Sequence, residues 1–143
     1  MAKIRRLTIE DYDAVIALWQ RSGLPTVRPT GRDSRSEFAR QLERGQIVIG
    51  LEDDHKLIGI VVATSDTRKG WINRLAIDPE YRQRGYGAQL VHAAEDALRE
   101  LGLKIIAALI EDYNAASLAL FQKLGYAAHP EVHYVSKRES SEA

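Results

Sequence analysis

Cysteine is absent from the sequence. Its absence excludes disulfide bonds, thiolate metal sites and a covalent cysteine mechanism, and it favours a cytoplasmic location. Neither sign of charge is in excess, because basic and acidic residues number 20 each, so no overall field draws the protein to nucleic acid or to an anionic membrane. Apolar runs of the length that forms a membrane span or a signal peptide are also missing. We therefore expect a cytoplasmic protein with no nucleic-acid and no membrane partner.

The length and the hydrophobic content are those of one globular domain. The chain has 143 residues, 45% of them hydrophobic, which is enough for a sizeable core. We predict a single domain over residues 1–138 and a frayed polar tail over residues 139–143. Hydrophobic periodicity predicts, in order, a strand, two helices, three meandering strands, a helix, a strand, a helix and one or two final strands.

Capping residues and glycines predict where the helices begin and end. The segment at 105–110 is apolar throughout, so it is predicted to be a central strand with no face in water. The other strands are expected over residues 3–7, 46–51, 57–63 and 71–77. The predicted helix limits are Thr8 to Gly23, Asp33 to Gly45, Ala88 to Gly102 and Asn114 to Gly125, each glycine being a stop signal.

The most informative segment is Arg82-Gln83-Arg84-Gly85-Tyr86-Gly87-Ala88, which lies between a predicted strand and a long helix. Its two glycines lack Cβ atoms, so the backbone can turn tightly there and its N–H groups can approach an anion. The free N–H groups of the first helical turn and the two arginines add attraction for the same anion. The segment therefore predicts a diphosphate-binding loop.

Two common nucleotide-binding motifs do not match this loop. A Rossmann fingerprint requires a third glycine, which residues 88–90 do not supply. A Walker A loop requires Gly-Lys-Ser/Thr, which is also missing. NAD and ATP are therefore disfavoured as ligands.

The loop resembles motif A of the GCN5-related N-acetyltransferases (GNAT), in which Arg/Gln-x-x-Gly-x-Gly/Ala binds the pyrophosphate of acetyl-CoA. A second segment, from Asn114 to Tyr126, is similar to that family's Asn-x-x-Ala-x-x-x-Tyr-x-Lys-x-Gly-Phe pattern. The motifs occur in the family's order and separation, and the resemblance spans nearly the whole chain. It implies an α/β (α+β) GNAT fold, with four helices and a mixed, mostly antiparallel sheet of six to seven strands that splays between strands 4 and 5.

The resemblance also implies how acetyl-CoA, the cosubstrate, is held. Backbone N–H groups of the 82–88 loop would bind the pyrophosphate, and the strand at Leu75-Ala76-Ile77 would pair with pantetheine. In the family this strand carries a bulge, which opens a V-shaped slot against the strand at 105–110. Asn114 and Phe121 would border the slot, although capping of the fourth helix explains Asn114 equally well. No metal is expected.

Acetyl transfer to an amine requires a proton acceptor, because an alkyl amine has a pKa of about 10.4 and is protonated at neutral pH. Glu111 and Asp112, just past the strand at 105–110, are the candidate bases, and Asp66 is a further one. For each of them alone, a solvated loop acid is the more economical interpretation. Asn73 could orient the acceptor, but an amide cannot act as a base.

Phe121 departs from the family pattern, in which a tyrosine at this position hydrogen-bonds the CoA sulfur. Phenylalanine has no proton to donate. A thiol has a pKa near 8.5, so a thiolate can leave without being protonated at the same moment. Tyr126, Tyr113 and Tyr134 are replacements to consider, and no general acid is assigned.

The resemblance implies an N-acetyltransferase acting on an amine of a small molecule or peptide, and it leaves a homodimer open. Protein N-termini, lysines, amino acids, polyamines and antibiotics all meet the chemical requirement. The group formed by Arg28, Arg32 and Arg35 is either a solvated face or a border of the acceptor pocket. The alternative function is a catalytically weak or inactive CoA-binding regulatory domain, which Phe121 and the lack of a clear base favour; transfer to oxygen, or of a longer acyl group, also stays open.

Overall fold

The computed structural model describes residues 2–141 and 143, and its helices and strands follow the predicted order. Among the described residues, no helix is long and apolar enough to span a membrane. The strands are β1 (Lys3–Arg6), β2 (Ile47–Asp53), β3 (Lys56–Ser65), β4 (Gly70–Ile77) and β5 (Ile106–Ala108), and the helices are α1 (Tyr12–Arg21), α2 (Arg35–Glu43), α3 (Tyr86–Glu100) and α4 (Ala115–Lys123).

Helix ends follow the local capping chemistry. Thr8 forms the predicted capping box, here with Asp11, and starts a short 3-10 turn that leads into α1. Asn114 caps α4 as predicted. The start of α2 differs by one residue, because Ser34 is its cap and accepts a hydrogen bond from the Glu37 N–H. Asp33 lies one residue earlier, where its buried carboxylate pairs with an arginine instead of a helix terminus.

The strands form one sheet in the order β1-β2-β3-β4-β5. The first four are antiparallel neighbours, and β5 runs parallel to β4. A two-residue turn joins β2 to β3, and both of its residues, Asp54 and His55, have left-handed backbone angles, which suits a tight hairpin. The mixed, mostly antiparallel sheet confirms the predicted fold class, with five strands in the described residues instead of six to seven.

Helices cover both faces of the sheet. The buried side of α3, from Leu90 to Leu98, packs on one face together with α4. The other face carries α1 and α2 through Leu18, Trp19 and Phe38. Alternate residues of β2 point into these two cores, as the strand period of two requires.

The prediction of a central strand over residues 105–110 is wrong. β5 has only three residues and lies at the edge of the sheet. Ile105 and Leu109, which flank it, are 54% and 56% exposed. The predicted final strands would have covered this edge, but residues 127–138 form no strand in the structure. An apolar run indicates that its residues are suited to burial, but the pattern does not identify the segment that covers them.

Candidate active site

The site begins at a bulge in β4. Between the pairs Ile60–Ala76 and Val62–Asn73, β3 contributes one residue and β4 contributes two, Arg74 and Leu75. Arg74 has a left-handed φ of 52°, an uncommon conformation for a residue with a long side chain. The extra residue bends the strand and increases its local twist.

Just before this bulge, β4 and β5 separate. They pair only from Gly70 to Ile72 on β4 and from Ile106 to Ala108 on β5. Among the described residues, no strand pairs with the second half of β4 on that side, and this half includes the predicted pantetheine strand. This splay confirms the V-shaped slot between strands 4 and 5.

The glycine loop lies at the mouth of the slot, where β4 leads into α3. Gly85 caps α3 with a left-handed φ of 81°, and the first turn of the helix contains no acidic residue. The N–H groups of that turn have no partner within the helix and carry its positive dipole end. A Cβ atom added to Gly87 would lie 3.1 Å from Leu120 Cδ2 and 3.9 Å from Leu75 Cδ2. These features fit an anion that approaches the backbone closely, as a diphosphate does.

The two arginines of the loop brace it. Arg82 donates to the carbonyl oxygens of Ile77 and Ser22, at 3.2 and 3.1 Å. Arg84 donates to the Glu80 carbonyl oxygen at 3.3 Å and lies over the Tyr81 ring. Both side chains remain exposed, so they hold the loop in shape and keep positive charge beside the α3 N-terminus.

A buried carboxylate, missed in the sequence, fastens the end of β4 to α1. Asp78 is 2% exposed and accepts hydrogen bonds from Arg21 Nε at 2.8 Å and from the Glu80 N–H at 2.9 Å. Burial opposes the charged form, but the Glu80 N–H and the Arg21 guanidinium outweigh it, so the pKa of Asp78 is lowered. The contact with Arg21 joins residues 57 positions apart, so no local sequence pattern predicts it.

On the opposite side of the slot, α4 presents the second motif. Asn114 Oδ1 accepts the Ser117 N–H at 3.1 Å, so capping is an established role of this side chain and contact with cosubstrate stays a prediction. Phe121 is buried and packs edge-on against Tyr126, with ring centroids 4.9 Å apart. Both rings also line the cleft, which is the open space that contains the slot and is bordered by β4, β5, the glycine loop and α4.

The tyrosines do not supply an obvious acid. The Tyr126 hydroxyl donates to Glu95 Oε2 at 2.5 Å. Burial, and then this hydrogen bond, raise the pKa of Tyr126 above its ordinary value, which makes it a weaker proton donor. Tyr113 and Tyr134 are exposed on the rim of the cleft.

Two of the three candidate bases lie at the slot. Glu111 and Asp112 follow β5 at its open end, are exposed, and line the cleft. Asp66 lies at the opposite end of β4, in the turn after β3. Its carboxylate accepts the Lys69 and Arg68 N–H groups at 2.7 and 2.9 Å, and these bonds lower its pKa. Asp66 is therefore engaged in a turn away from the slot, and its role as a base stays a prediction that the geometry disfavours.

The arginine group divides in the structure. Arg32 lines the cleft, whereas Arg28 folds onto carbonyl groups of its own loop and Arg35 lies over the Tyr12 ring. Burial, and then repulsion from Arg74, lower the pKa of Arg32. Its Nε atom is buried with no hydrogen-bond partner among the described residues, 3.9 Å from Asp33.

An ion pair that sequence reasoning missed holds the bulge in place. Arg74 Nη1 and Nη2 donate to the two oxygens of Asp33 at 2.6 and 3.0 Å, and Nη2 also donates to the Thr26 carbonyl oxygen. The guanidinium lies 4.8 Å from the centre of the Trp19 ring. The segment between α1 and α2 is thereby tied to β4, and Asp33 and Arg74 both line the cleft.

Comparisons with known proteins agree on one family. The family model described as Acetyltransferase (GNAT) family matches residues 4–126. An acetyltransferase of Pectobacterium atrosepticum is 28% identical over 125 residues, which cover 87% of this chain and 86% of that protein.

Two solved structures show the same fold. The PaiA N-acetyltransferase of Thermoplasma acidophilum, in complex with coenzyme A, superposes with a TM-score of 0.80 at 21% identity, over 90% of this chain and 91% of its own. The aminoglycoside acetyltransferase AAC(6')-Iy, in complex with a bisubstrate analogue, superposes with a TM-score of 0.79 at 17% identity, over 96% and 99% of the two chains.

Proposed function

The chain belongs to the GNAT acetyltransferase family, and from this premise we propose that it transfers the acetyl group of acetyl-CoA to the nitrogen of an amine. The observation that carries the proposal is the slot between β4 and β5. Strand pairing stops at Ile72 and Ala108, and the acid-free N-terminus of α3 stands at the slot's mouth. The slot suits the acyl-bearing arm of acetyl-CoA, and the N-terminus of α3 suits the diphosphate of the same molecule.

In the proposed reaction the ammonium group first gives up one proton, and the neutral amine nitrogen then attacks the thioester carbonyl carbon. The C–N bond forms, the C–S bond breaks to release the CoA thiolate, and the nitrogen loses its second proton to give the amide. Acetyl-CoA supplies the thioester. The protein holds both reactants in one slot, and such positioning lowers a barrier by several kcal/mol. Backbone N–H groups of the Leu75–Ile77 segment would stabilise negative charge on the carbonyl oxygen. The thiolate can leave unprotonated, so no side chain of this chain is assigned as the acid.

Glu111 and Asp112 are the proposed proton acceptors, acting directly or through a water molecule. Both are exposed at the open end of β5 and line the cleft. Among the described residues neither carboxylate has a side-chain hydrogen bond or ion pair. Each therefore stays available to an incoming ammonium group.

The charges on the other wall favour an acceptor that carries a carboxylate as well as an amine. Arg32 and Arg74 face one acid, Asp33, which both terminal nitrogens of Arg74 engage. Arg32 Nη2 donates to the Thr26 carbonyl oxygen at 2.7 Å, while its Nε lies 3.9 Å from Asp33 with no hydrogen-bond partner among the described residues. Two positive charges thus meet one negative charge, and this side of the cleft keeps a net positive charge. An acceptor with an ammonium group near Glu111 and a carboxylate near Arg32 would pair with the charges on both sides of the cleft.

Cosubstrate binding is tested by calorimetry with CoA, NAD and ATP. We expect CoA to bind and the other two to bind poorly. Gly87→Val should weaken CoA binding, because a branched side chain would crowd Leu120 and Leu75, which line the cleft beside the loop. Ala14→Val, on an exposed site in the first turn of α1, is the matched control and should leave affinity unchanged. Equal affinity for all three nucleotides, or an unaffected Gly87→Val variant that folds, would contradict the assignment.

Acceptor choice is tested by CoA release with matched amines: 4-aminobutyrate, butylamine and 1,4-diaminobutane. The carboxylate-bearing amine should give the highest kcat/KM, and Arg32→Gln should remove roughly 10-fold or more of that preference, since a hydrogen bond to a charged group contributes about 1.5–3 kcal/mol. A preference for the diamine would overturn the acceptor class. Binding of CoA without turnover on any amine would favour the regulatory domain instead.

A further inference from the structure

A glutamate lies on the buried face of α3. Glu95 is 7% exposed, and the same face of the helix carries Leu90, Val91, Ala94 and Leu98. A carboxylate in such a place costs free energy unless it is paired, and an apolar residue of similar size would pack there without that cost. Glu95 takes no part in the proposed proton transfer, so its contacts indicate its role.

The Glu95 carboxylate has one partner from outside its own helix. The Tyr126 hydroxyl donates to Oε2 at 2.5 Å, across 31 positions of the chain. Oε1 lies 3.1 Å from His92 Nδ1 and 3.9 Å from Arg99 Nη1. His92 and Arg99 are exposed residues of α3 itself, so among the described side chains only Tyr126 connects this carboxylate to another element.

Tyr126 is in turn fixed to Phe121. Gly125 has a left-handed φ of 97° and turns the chain back at the end of α4. The Tyr126 N–H then donates to the Phe121 carbonyl oxygen at 3.0 Å, and the Gly125 N–H donates to the Gln122 carbonyl oxygen at 3.1 Å. These two bonds form a Schellman motif, and the Tyr126 ring packs edge-on against the Phe121 ring. The position of Phe121 therefore follows that of Tyr126.

Helices α3 and α4 meet at two levels. Near the first turn of α3, a Cβ atom added to Gly87 would lie 3.1 Å from Leu120 Cδ2. The bond between Glu95 and Tyr126 lies two turns further on, about 12 Å along the helix axis. Contacts at two levels define both the separation of the helices and the tilt of α4, and only the second of them is a hydrogen bond to a charged group.

We propose that Glu95 is a positioning residue for acetyl transfer, which holds Phe121 at the wall of the slot through Tyr126. The inference rests on the proposed function. Phe121 lines the cleft on the side opposite β4, where its ring would contact the acyl-bearing arm of acetyl-CoA. The diphosphate is assigned to the first turn of α3, which does not depend on Tyr126. Loss of the bond should therefore change the rate of transfer more than the binding of CoA.

Tyr126→Phe is the sharpest test, because it removes the hydroxyl and keeps the ring. With the most active of the three matched amines, we expect kcat to fall roughly 10-fold or more, since displacement of a reacting group by about 1 Å can cost 10²-fold. The dissociation constant of CoA, measured by calorimetry, should stay nearly constant. Glu95→Ala should behave in the same way.

Two further variants serve as rescue and control. Glu95→Gln keeps an oxygen that can accept the Tyr126 hydroxyl, so its kcat should be close to that of the wild type. His92→Ala removes an exposed partner of the same carboxylate and should leave kcat unchanged. An unchanged kcat in folded Tyr126→Phe, with only a lower free energy of unfolding, would show a merely structural role and overturn the proposal. Equal losses of kcat in Glu95→Gln and Glu95→Ala would also overturn it.

Amide hydrogen exchange tests the same contact without turnover. We expect α4 amides to exchange roughly 10-fold faster in Tyr126→Phe, because a hydrogen bond to a charged group is lost. Amides of α2, on the other face of the sheet, should be unaffected. If the wild type acetylates no amine, the proposed function fails, and exchange then decides alone: faster α4 exchange in Tyr126→Phe would support the positioning of Phe121 by Glu95, and unchanged exchange would overturn it.

Discussion

Asp33→Asn perturbs the ion pair that ties the α1–α2 segment to the β4 bulge. The Asp33 side chain is 7% exposed, and its oxygens lie 2.6 and 3.0 Å from the terminal nitrogens of Arg74. Asparagine has nearly the same shape and keeps one oxygen acceptor. The substitution therefore removes a negative charge without creating a cavity.

The expected loss in the free energy of unfolding follows from what remains buried. Removing one partner of a buried ion pair costs about 3–5 kcal/mol, because the other charge is left without compensation. We expect the lower end, about 3 kcal/mol, since Arg74 keeps its hydrogen bond to the Thr26 carbonyl oxygen at 3.0 Å and its contact with the Trp19 ring.

Urea unfolding followed by circular dichroism measures this difference. Glu37→Gln is the matched control, because it removes a carboxylate from the exposed pair with Arg40 and should cost less than about 1 kcal/mol. Combining Asp33→Asn with Arg74→Gln should cost less than the sum of the two single changes, as coupled residues do. If Asp33→Asn were as mild as Glu37→Gln, the pair would not be holding the bulge and the reasoning would fail.

Three further predictions concern the slot and its supports. Glu111→Gln or Asp112→Asn should lower turnover at neutral pH while the CoA dissociation constant stays nearly constant; equal loss of both quantities would indicate a collapsed site, and no loss in either variant would remove both residues as bases. Phe121→Tyr, on the cleft side of α4, should raise turnover by up to roughly 10²-fold if its hydroxyl protonates the leaving thiolate. A fall of about 1–3 kcal/mol in the free energy of unfolding without faster turnover would instead place the hydroxyl in the dry core. Asp78 has a lowered pKa in the folded state, so the stability it contributes is present above its unfolded pKa of about 3.9 and is lost as pH falls through the folded value. Asp78→Asn should therefore lower the free energy of unfolding at pH 7, and it should make that free energy fall less steeply below about pH 4. An unchanged dependence of the unfolding free energy on acidic pH would contradict this role.

Features that depend on near neighbours in the chain were predictable from the sequence. Asn114 caps α4 through the N–H of a residue three positions later, and Gly85 starts α3 within the predicted loop. Such signals operate within one helical turn, so the sequence alone contains both partners. The family resemblance rests on the same short motifs, and the family match over residues 4–126 agrees with it.

Tertiary structure alone decided the features that join distant residues. Asp33 and Arg74 are 41 positions apart, and neither has a local pattern that distinguishes a buried ion pair from two solvated charges. Asp66 was a plausible base by type, but its position in the sheet puts it at the wrong end of β4. The run at 105–110 forms a strand only over residues 106–108, and its place at the edge of the sheet depends on which segment pairs beside it. Hydrophobic periodicity predicts which face of a strand is buried. The strands that pair with it on either side depend on the packing of the whole chain.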